Sequence, residues 1–192
     1  MKKAVDRPTK VELENELKRV RHVRRFRRIL KSTVSVLIVV AALAALVATL
    51  ILPVIQISGT SMEPTLNNRE IVLLVKSKRL QRGDLCAFSY SNKILIKRII
   101  GMPGDMISID DLGNVIINGE NLDEPYLTEK SLGECDIEFP FEVPEESFFI
   151  MGDRRDTSID SRSSVIGCVE REQIIGKIFF RIWPFKKIDF IN

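Results

Sequence analysis

Ser61 stands in a stretch that predicts a tight turn, and Lys97 stands in a short apolar run that predicts a strand. Gly59, two residues before Ser61, and Pro64, three residues after it, break helices and strands, so the turn displays the serine hydroxyl on irregular backbone. A displayed hydroxyl becomes a nucleophile when a base accepts its proton. The chemistry to consider is therefore attack by a serine on a carbonyl carbon.

The base cannot be the single histidine, His22, if the apolar segment between it and Ser61 crosses a membrane. Lys97 is the alternative, because period-two alternation in its strand puts it on the face shared with Leu95 and Ile99. An ammonium among apolar neighbours loses hydration, which lowers its pKa, and a neutral lysine can take a proton from serine. The competing interpretation, more frequent for an arbitrary strand lysine, is a side chain that reaches water at a sheet edge.

A long uncharged segment follows a basic tail. Residues 1–31 contain 12 Lys or Arg and 4 Asp or Glu, whereas no charged side chain occurs from Ser32 to Met62. The apolar part, about 20 residues, matches the thickness of a bilayer core and is too long for a cleaved signal peptide. We expect a helix that starts near residue 10 and a transmembrane part over 32–53. The basic cluster predicts a cytoplasmic N-terminus and a domain on the outer face.

The remaining residues carry a net charge of −5, so the basic character belongs to the tail and predicts no nucleic-acid partner. From residue 70 the chain changes to short β-branched or aromatic runs, separated by turn-forming residues. The runs are 70–76, 84–90, 93–100, 106–110, 115–118, 147–151 and, as a final strand, 174–185. This pattern predicts a mainly β fold, with an antiparallel, barrel-like catalytic domain over 54–192.

Two further predictions concern the middle of this domain. Asn118-Gly119 predicts a hairpin turn if residues near 122–127 return as a strand. The acidic, proline-bearing stretch of roughly 110–147 predicts a small irregular insertion that is mostly solvated.

Four sequence boxes occur in one order behind the apolar segment. They are Ser58–Thr65 (SGTSMEPT), Arg82–Asp84 (RGD), Lys97–Asp105 (KRIIGMPGD) and Gly152–Arg162 (GDRRDTSIDSR). Each box alone is weakly specific, but the ordered set resembles bacterial type I signal peptidases, the membrane-bound serine proteases that remove signal peptides from exported proteins. The resemblance extends from the anchor to the last strand, and the small insertion is similar to that of the smaller Gram-positive type.

The resemblance implies a Ser/Lys dyad, with Ser61 as the nucleophile and Lys97 as the general base. It implies that Ser158 hydrogen-bonds and orients the lysine. Asp160 and Arg162 match an ion pair that shapes the loop carrying Ser158, in the way that supporting contacts hold a reactive group in place.

Other positions bear on the oxyanion and on loop details. Gly59 stands where some family members carry a serine that helps to stabilise the oxyanion, so Gly59, Thr60 and the nucleophile's own backbone amide form the oxyanion turn here, with a second donor unnamed. Met62 is expected to contact membrane or substrate. Arg154 and Thr157 occupy positions where asparagine is more usual in the family.

The implied partners are signal peptides of exported preproteins, the lipid bilayer and a nearby secretion translocon, and the resemblance implies no metal or organic cofactor. Two alternatives remain: a dedicated processor of one pilin or secreted substrate, and a non-enzymatic, membrane-tethered β module. A self-cleaving repressor-type peptidase shares the dyad, but it is soluble and carries a DNA-binding region. Cys86, Cys135 and Cys168 allow either one disulfide with a free thiol or three free thiols.

Overall fold

The computed structural model describes residues 10–51, 53–77 and 79–191 of the 192-residue chain. They form two compact units with the boundary after Ile51. Residues 1–9 of the predicted basic tail lie outside the described residues.

The described residues of the first unit form a single helix, α1 (Lys10–Ile51). Alanine, leucine, lysine and arginine, all strong helix formers, make up much of its sequence. The part from Lys18 to Leu46 is long and apolar enough, by length and composition, to cross a membrane. Pro53 is two residues beyond Ile51, and its ring and missing N–H are unfavourable inside a helix. The predicted helix starting near residue 10 is confirmed.

The second unit contains the strands and two one-turn 3-10 helices, Arg171–Gln173 and Phe185–Lys187. In the described residues the strands are β1 (Val54–Gln56), β2 (Ile71–Val75), β3 (Leu85–Tyr90), β4 (Lys93–Gly101), β5 (Met106–Ile109), β6 (Val115–Ile117), β7 (Glu120–Asn121), β8 (Phe141–Glu142), β9 (Ser147–Met151), β10 (Val169–Glu170), β11 (Ile174–Trp183) and β12 (Asp189–Phe190). The strands predicted from β-branched and aromatic runs are confirmed to within a few residues at their ends.

The strands form two antiparallel sheets. The larger has the order β1-β2-β11-β3-β4-β9-β10, with β12 paired to β11, and the smaller has the order β7-β6-β5-β8. Neither sheet closes on itself among the described residues, because β1 and β10 end the larger one. The predicted mainly β, antiparallel class is confirmed, and the barrel-like arrangement is an open one.

Three clusters of buried apolar side chains hold the second unit together. The first contains Met62, Leu66 and Val72, so it anchors the turn predicted to carry the nucleophile. The second lies around Ile107 on the smaller sheet, and the third surrounds Phe88. Burying a side chain of this size contributes about 1.5–3 kcal/mol relative to exposure, so each cluster is a substantial share of the fold's stability.

The middle of the domain is more ordered than its composition indicates. The Asn118-Gly119 hairpin forms, but β7 returns at Glu120–Asn121 rather than at 122–127, because the two-residue loop brings the chain back at once. β8 adds a strand inside the stretch predicted to be irregular. Glu124, predicted to be solvated, is buried because the buried Arg155 pairs with it.

Candidate active site

Ser61 lies on a turn whose neighbouring apolar side chains are buried while Ser61 itself stays partly accessible to solvent. Leu66 donates its amide to the Met62 carbonyl at 2.8 Å, and both side chains are buried in the first cluster. Gly59 has a φ of 104°, a conformation that glycine adopts without the steric cost other residues incur. Ser61 itself is half-buried. We call residues 58–66 the Ser61 turn.

Lys97 is buried on β4, with 4% of its surface exposed. Its Nζ donates to Ser158 Oγ at 2.6 Å. Cys86 lies directly opposite on β3, and side chains opposite each other in an antiparallel pair share one face, so the Cys86 thiol and the Lys97 side chain lie on the same face. The pKa of Lys97 is lowered to about 8: burial is the main cause, Asp160 and Asp153 partly oppose it, and the charge of Arg162 acts in the same direction as burial.

Ser158 lies on a loop that we call the Ser158 loop, residues 152–162. A buried ion pair stiffens it: Arg162 donates from Nε to Asp160 Oδ1 at 2.8 Å and from Nη2 to Oδ2 at 2.9 Å. Asp160 Oδ2 also accepts the Gly152 amide at 2.9 Å. Burial works to raise the pKa of Asp160, but the hydrogen bonds and charge of Arg162 outweigh it and hold that pKa below its ordinary value.

The Ser158 loop contacts the Ser61 turn directly. The Arg154 amide donates to the Ser61 carbonyl at 3.0 Å. Gly152 lies so close that an added Cβ would stand 2.7 Å from that carbonyl oxygen and 2.6 Å from the Ser158 Cβ. The absence of a side chain at Gly152 therefore allows the loop to approach the turn while Ser158 holds Lys97.

Ser61 and Lys97 both line one groove of about 510 Å³. Residues 55–59 and residues 93–97 both contribute to its lining. β4 pairs with β3 along 93–98, and it pairs with β9 only from Arg98 onward, so its other edge at 93–97 carries no strand in the described part of the chain. β1 likewise ends its sheet. The groove thus has two strand edges with open hydrogen-bonding positions.

The remaining predicted site residues differ in their placement. Met62 is 3% exposed and packs in the first cluster, and its small exposed surface lines the groove, so its contact with membrane or substrate stays a prediction. The Gly59 amide donates to Asn68 Oδ1 at 3.2 Å, so this hydrogen bond already occupies the amide in the structure. Thr60 is exposed, and its carbonyl accepts the Glu63 amide at 3.0 Å.

Arg98 and Asp153 form a buried pair beside the site that sequence analysis did not assign. Arg98 donates from Nε and Nη2 to the two Asp153 carboxylate oxygens at 2.8 and 2.7 Å. Its guanidinium also lies 3.9 Å from the centre of the Tyr126 ring. Both residues stand within the four boxes. An arginine in an isoleucine-rich strand predicted to be buried needs a buried carboxylate, and that requirement is the signal that could have identified the pair.

The three cysteines are separate thiols in the structure. Burial raises the pKa of Cys86 to about 12 and that of Cys168 to about 11. Thiols with raised pKa values are mostly protonated at neutral pH and are therefore poor nucleophiles, so Cys86 and Cys168 are unsuited to nucleophilic catalysis.

Comparison with known proteins identifies the family. Residues 30–183 match the family described as signal peptidase, peptidase S26. The chain belongs to the signal peptidase family. It is 34% identical over 145 residues to the signal peptidase I of Bacillus licheniformis, covering 69% of this chain and 77% of that protein. It is 33% identical over 156 residues to a probable signal peptidase I-2 of Synechocystis, covering 75% and 69%. Membership of the signal peptidase family makes the protein a serine peptidase.

A solved signal peptidase I from Enterococcus faecalis also matches, with a TM-score of 0.43 and 29% identity, over 52% of this chain and 97% of that chain.

Proposed function

We propose that this signal peptidase family member cleaves signal peptides from exported preproteins with Ser61 as the nucleophile and Lys97 as the general base. The observation that carries the proposal is the buried Lys97 amine, hydrogen-bonded to Ser158 in the wall of the groove that Ser61 also lines. A lysine with a pKa of about 8 is partly neutral at physiological pH, so it can accept a proton.

The reaction follows from these positions. Lys97 takes the proton from Ser61 Oγ, which bonds to the scissile carbonyl carbon to give a tetrahedral oxyanion. The Ser61 backbone amide stabilises that oxygen. The C–N bond breaks, the proton passes from Lys97 to the leaving amine, and the signal peptide stays bound to Ser61 as an ester. Lys97 then deprotonates a water molecule, which hydrolyses the ester and restores the hydroxyl.

The substrate segment binds as an added strand. An extended peptide in the groove can hydrogen-bond to the open edges at residues 54–56 and 93–97, which is the β-augmentation mode of recognition. Apolar side chains line the groove, among them Ile55, Met62 and Ile96. Such walls suit small apolar side chains in alternate positions before the scissile bond.

We place the enzyme in the cell membrane, with a cytoplasmic tail over 1–31, an anchor over 32–53 and the catalytic domain over 54–192 on the outer face near the translocon. The basic side chains that precede the apolar segment favour this orientation. Protease added to intact spheroplasts should digest the β domain and leave an N-terminal tag protected. Protection of the β domain would contradict the orientation.

One face of the larger sheet supports contact with lipid. Strand pairing aligns Val54, Leu73, Phe180 and Phe190 across four strands, and Trp183 lies opposite Ile71 in the same sheet. Val54, Trp183 and Phe190 are exposed. Directly opposed residues share a face, so these apolar side chains form an outward patch with lysines 186 and 187 beside it. Aromatic and lysine side chains together are typical of a membrane interface.

The test of the function is cleavage of a peptide with Ala-x-Ala before the scissile bond, by the full chain in detergent. Ser61→Ala should abolish turnover, because it removes the hydroxyl that is proposed to attack the scissile carbonyl carbon. Ser58→Ala is the matched control, since Ser58 lines the same groove and is exposed. Equal loss in both variants, or full activity of Ser61→Ala, would refute the assignment. Folding of each variant is checked by its thermal melt.

A further inference from the structure

Thr65 joins the Ser61 turn to both segments that carry its chemical partners. Its Oγ1 donates to Asp153 Oδ2 at 2.5 Å and accepts from Arg98 Nη2 at 3.3 Å. Asp153 belongs to the Ser158 loop, and Arg98 is the residue after Lys97 on β4. The Thr65 hydroxyl therefore connects the Ser61 turn to both the Ser158 loop and β4.

The pair that receives this hydroxyl is itself rigid. Arg98 and Asp153 are each at most 2% exposed, and two parallel hydrogen bonds join them. Arg98 also donates to the Gly83 carbonyl at 2.7 Å. A bidentate pair fixes the angle between its partners as well as their distance. A hydroxyl that is hydrogen-bonded to the Arg98–Asp153 pair therefore has a fixed position relative to both β4 and the Ser158 loop.

The backbone of Thr65 is held from the other side. Its carbonyl accepts Arg181 Nη2 at 3.1 Å. Arg181 Nη1 lies 2.9 and 2.8 Å from the two Glu70 oxygens, and its Nε donates to Asp189 at 3.0 Å. Thr65 is thus held between two ion pairs, one on its side chain and one on its carbonyl. The carbonyl contact tolerates any side chain, whereas the first contact needs a hydroxyl.

Three contacts from the Ser158 loop hold the Ser61 turn, and one of them is an ion pair from Arg154 Nη1 to Glu63 Oε2 at 3.1 Å. The Arg154 amide binds the Ser61 carbonyl, and the Asp153 carboxylate binds the Thr65 hydroxyl. The Asp153 carboxylate that holds Thr65 is 2% exposed, whereas the Arg154 and Glu63 side chains are 44% and 31% exposed, so water competes less with the Thr65 contact than with that ion pair. We infer that Thr65 is a positioning residue, whose hydroxyl sets the direction in which Ser61 faces Lys97.

This inference rests on the proposed function, because it assigns Thr65 a part in the reaction of Ser61 with Lys97. It predicts an effect on turnover and not on substrate binding. Thr65 is not among the residues that line the groove. A small misplacement of a nucleophile can cost about 100-fold in rate, so loss of the hydroxyl should lower kcat by about 10- to 100-fold while KM stays nearly constant.

The experiment compares Thr65→Val, Thr65→Ala and Thr65→Ser in the full chain. Valine keeps the shape, alanine avoids pressing a methyl group against the Asp153 carboxylate, and serine keeps the hydroxyl. We expect the valine and alanine variants to lose kcat, and the serine variant to stay within about threefold of wild type. Thr128→Val, a threonine outside these contacts, is the control. Thermal melts identify variants that do not fold.

Two readouts separate this inference from the proposed function. The first is kcat and KM for an Ala-x-Ala peptide, and the second is the rate at which a fluorophosphonate probe labels Ser61, which needs no peptide. If wild type labels but does not cleave the peptide, the substrate assignment fails and the labelling rates still test Thr65. Folded valine and alanine variants within about twofold of wild type in both readouts would overturn the inference, as would a serine variant as slow as alanine.

Discussion

Ser158→Ala is expected to slow catalysis without weakening substrate binding. The Ser158 hydroxyl accepts the Lys97 Nζ donor at 2.6 Å, and both side chains are at most 4% exposed. Water cannot readily replace the hydroxyl in so closed a position. A hydrogen bond involving a charged group contributes about 1.5–3 kcal/mol, and about 1.4 kcal/mol corresponds to tenfold in rate. The expected loss is therefore about 10- to 100-fold in kcat, with KM nearly unchanged because the groove walls remain.

The assay is peptide cleavage in detergent, with kcat and KM measured separately. Ser163→Ala is the matched control: Ser163 is 2% exposed, close to Ser158 along the chain, and accepts a long hydrogen bond of 3.5 Å from the Val165 amide. Removing its hydroxyl changes the local packing to a similar extent without touching Lys97. The reasoning is refuted if Ser158→Ala, folded by its thermal melt, has a kcat within about twofold of Ser163→Ala.

Three further features can be tested: the pKa of Lys97, the buried Glu124–Arg155 ion pair and the close packing at Gly152. The pH profile of kcat should rise to a plateau above about pH 8, because the pKa of Lys97 is lowered to about 8 and its neutral form is the base. Asp160→Asn removes a carboxylate that raises that pKa, so the rising limb should move to lower pH, and an upward shift would contradict this. Glu124→Gln leaves the buried Arg155 without its carboxylate and should cost about 3–5 kcal/mol in urea unfolding; a loss below about 1 kcal/mol would contradict it. Gly152→Ala should lower kcat by displacing the loop from the turn, an effect absent if the rate is unchanged.

Strand positions were predictable because apolar alternation is a local property. Runs such as 93–100 contain enough residues to show period two, and the structure places β4 there. β1, β8, β10 and β12 were missed because strands of two or three residues contain no readable period, and the short β6 was predictable only from its consecutive β-branched residues. Their pairing comes from neighbours distant in sequence. The open form of the larger sheet also depends on such long-range pairing, which composition does not record.

The burial of Lys97 was predictable from its neighbours, whereas the ion pairs around it were not. Alternation with Leu95 and Ile99 puts the amine on an apolar face, and the structure shows it buried. Arg98 and Asp153 are 55 residues apart, and no local pattern connects them. Thr65 has the same limitation, because its hydroxyl partner is 88 residues away. The sequence motifs show which residue types are present, but the contacts of Arg98 and Thr65 with Asp153 form only when the chain folds.

The most direct test of the account is the turnover of Lys97→Ala beside that of Lys93→Ala. Both lysines lie on β4 and line the same groove, but Lys93 is exposed and Lys97 is buried against Ser158. The account predicts that Lys97→Ala, folded by its thermal melt, cleaves an Ala-x-Ala peptide at a background rate, and that Lys93→Ala retains most of the wild-type kcat. Near-normal turnover by Lys97→Ala would contradict the assignment of Lys97 as the base.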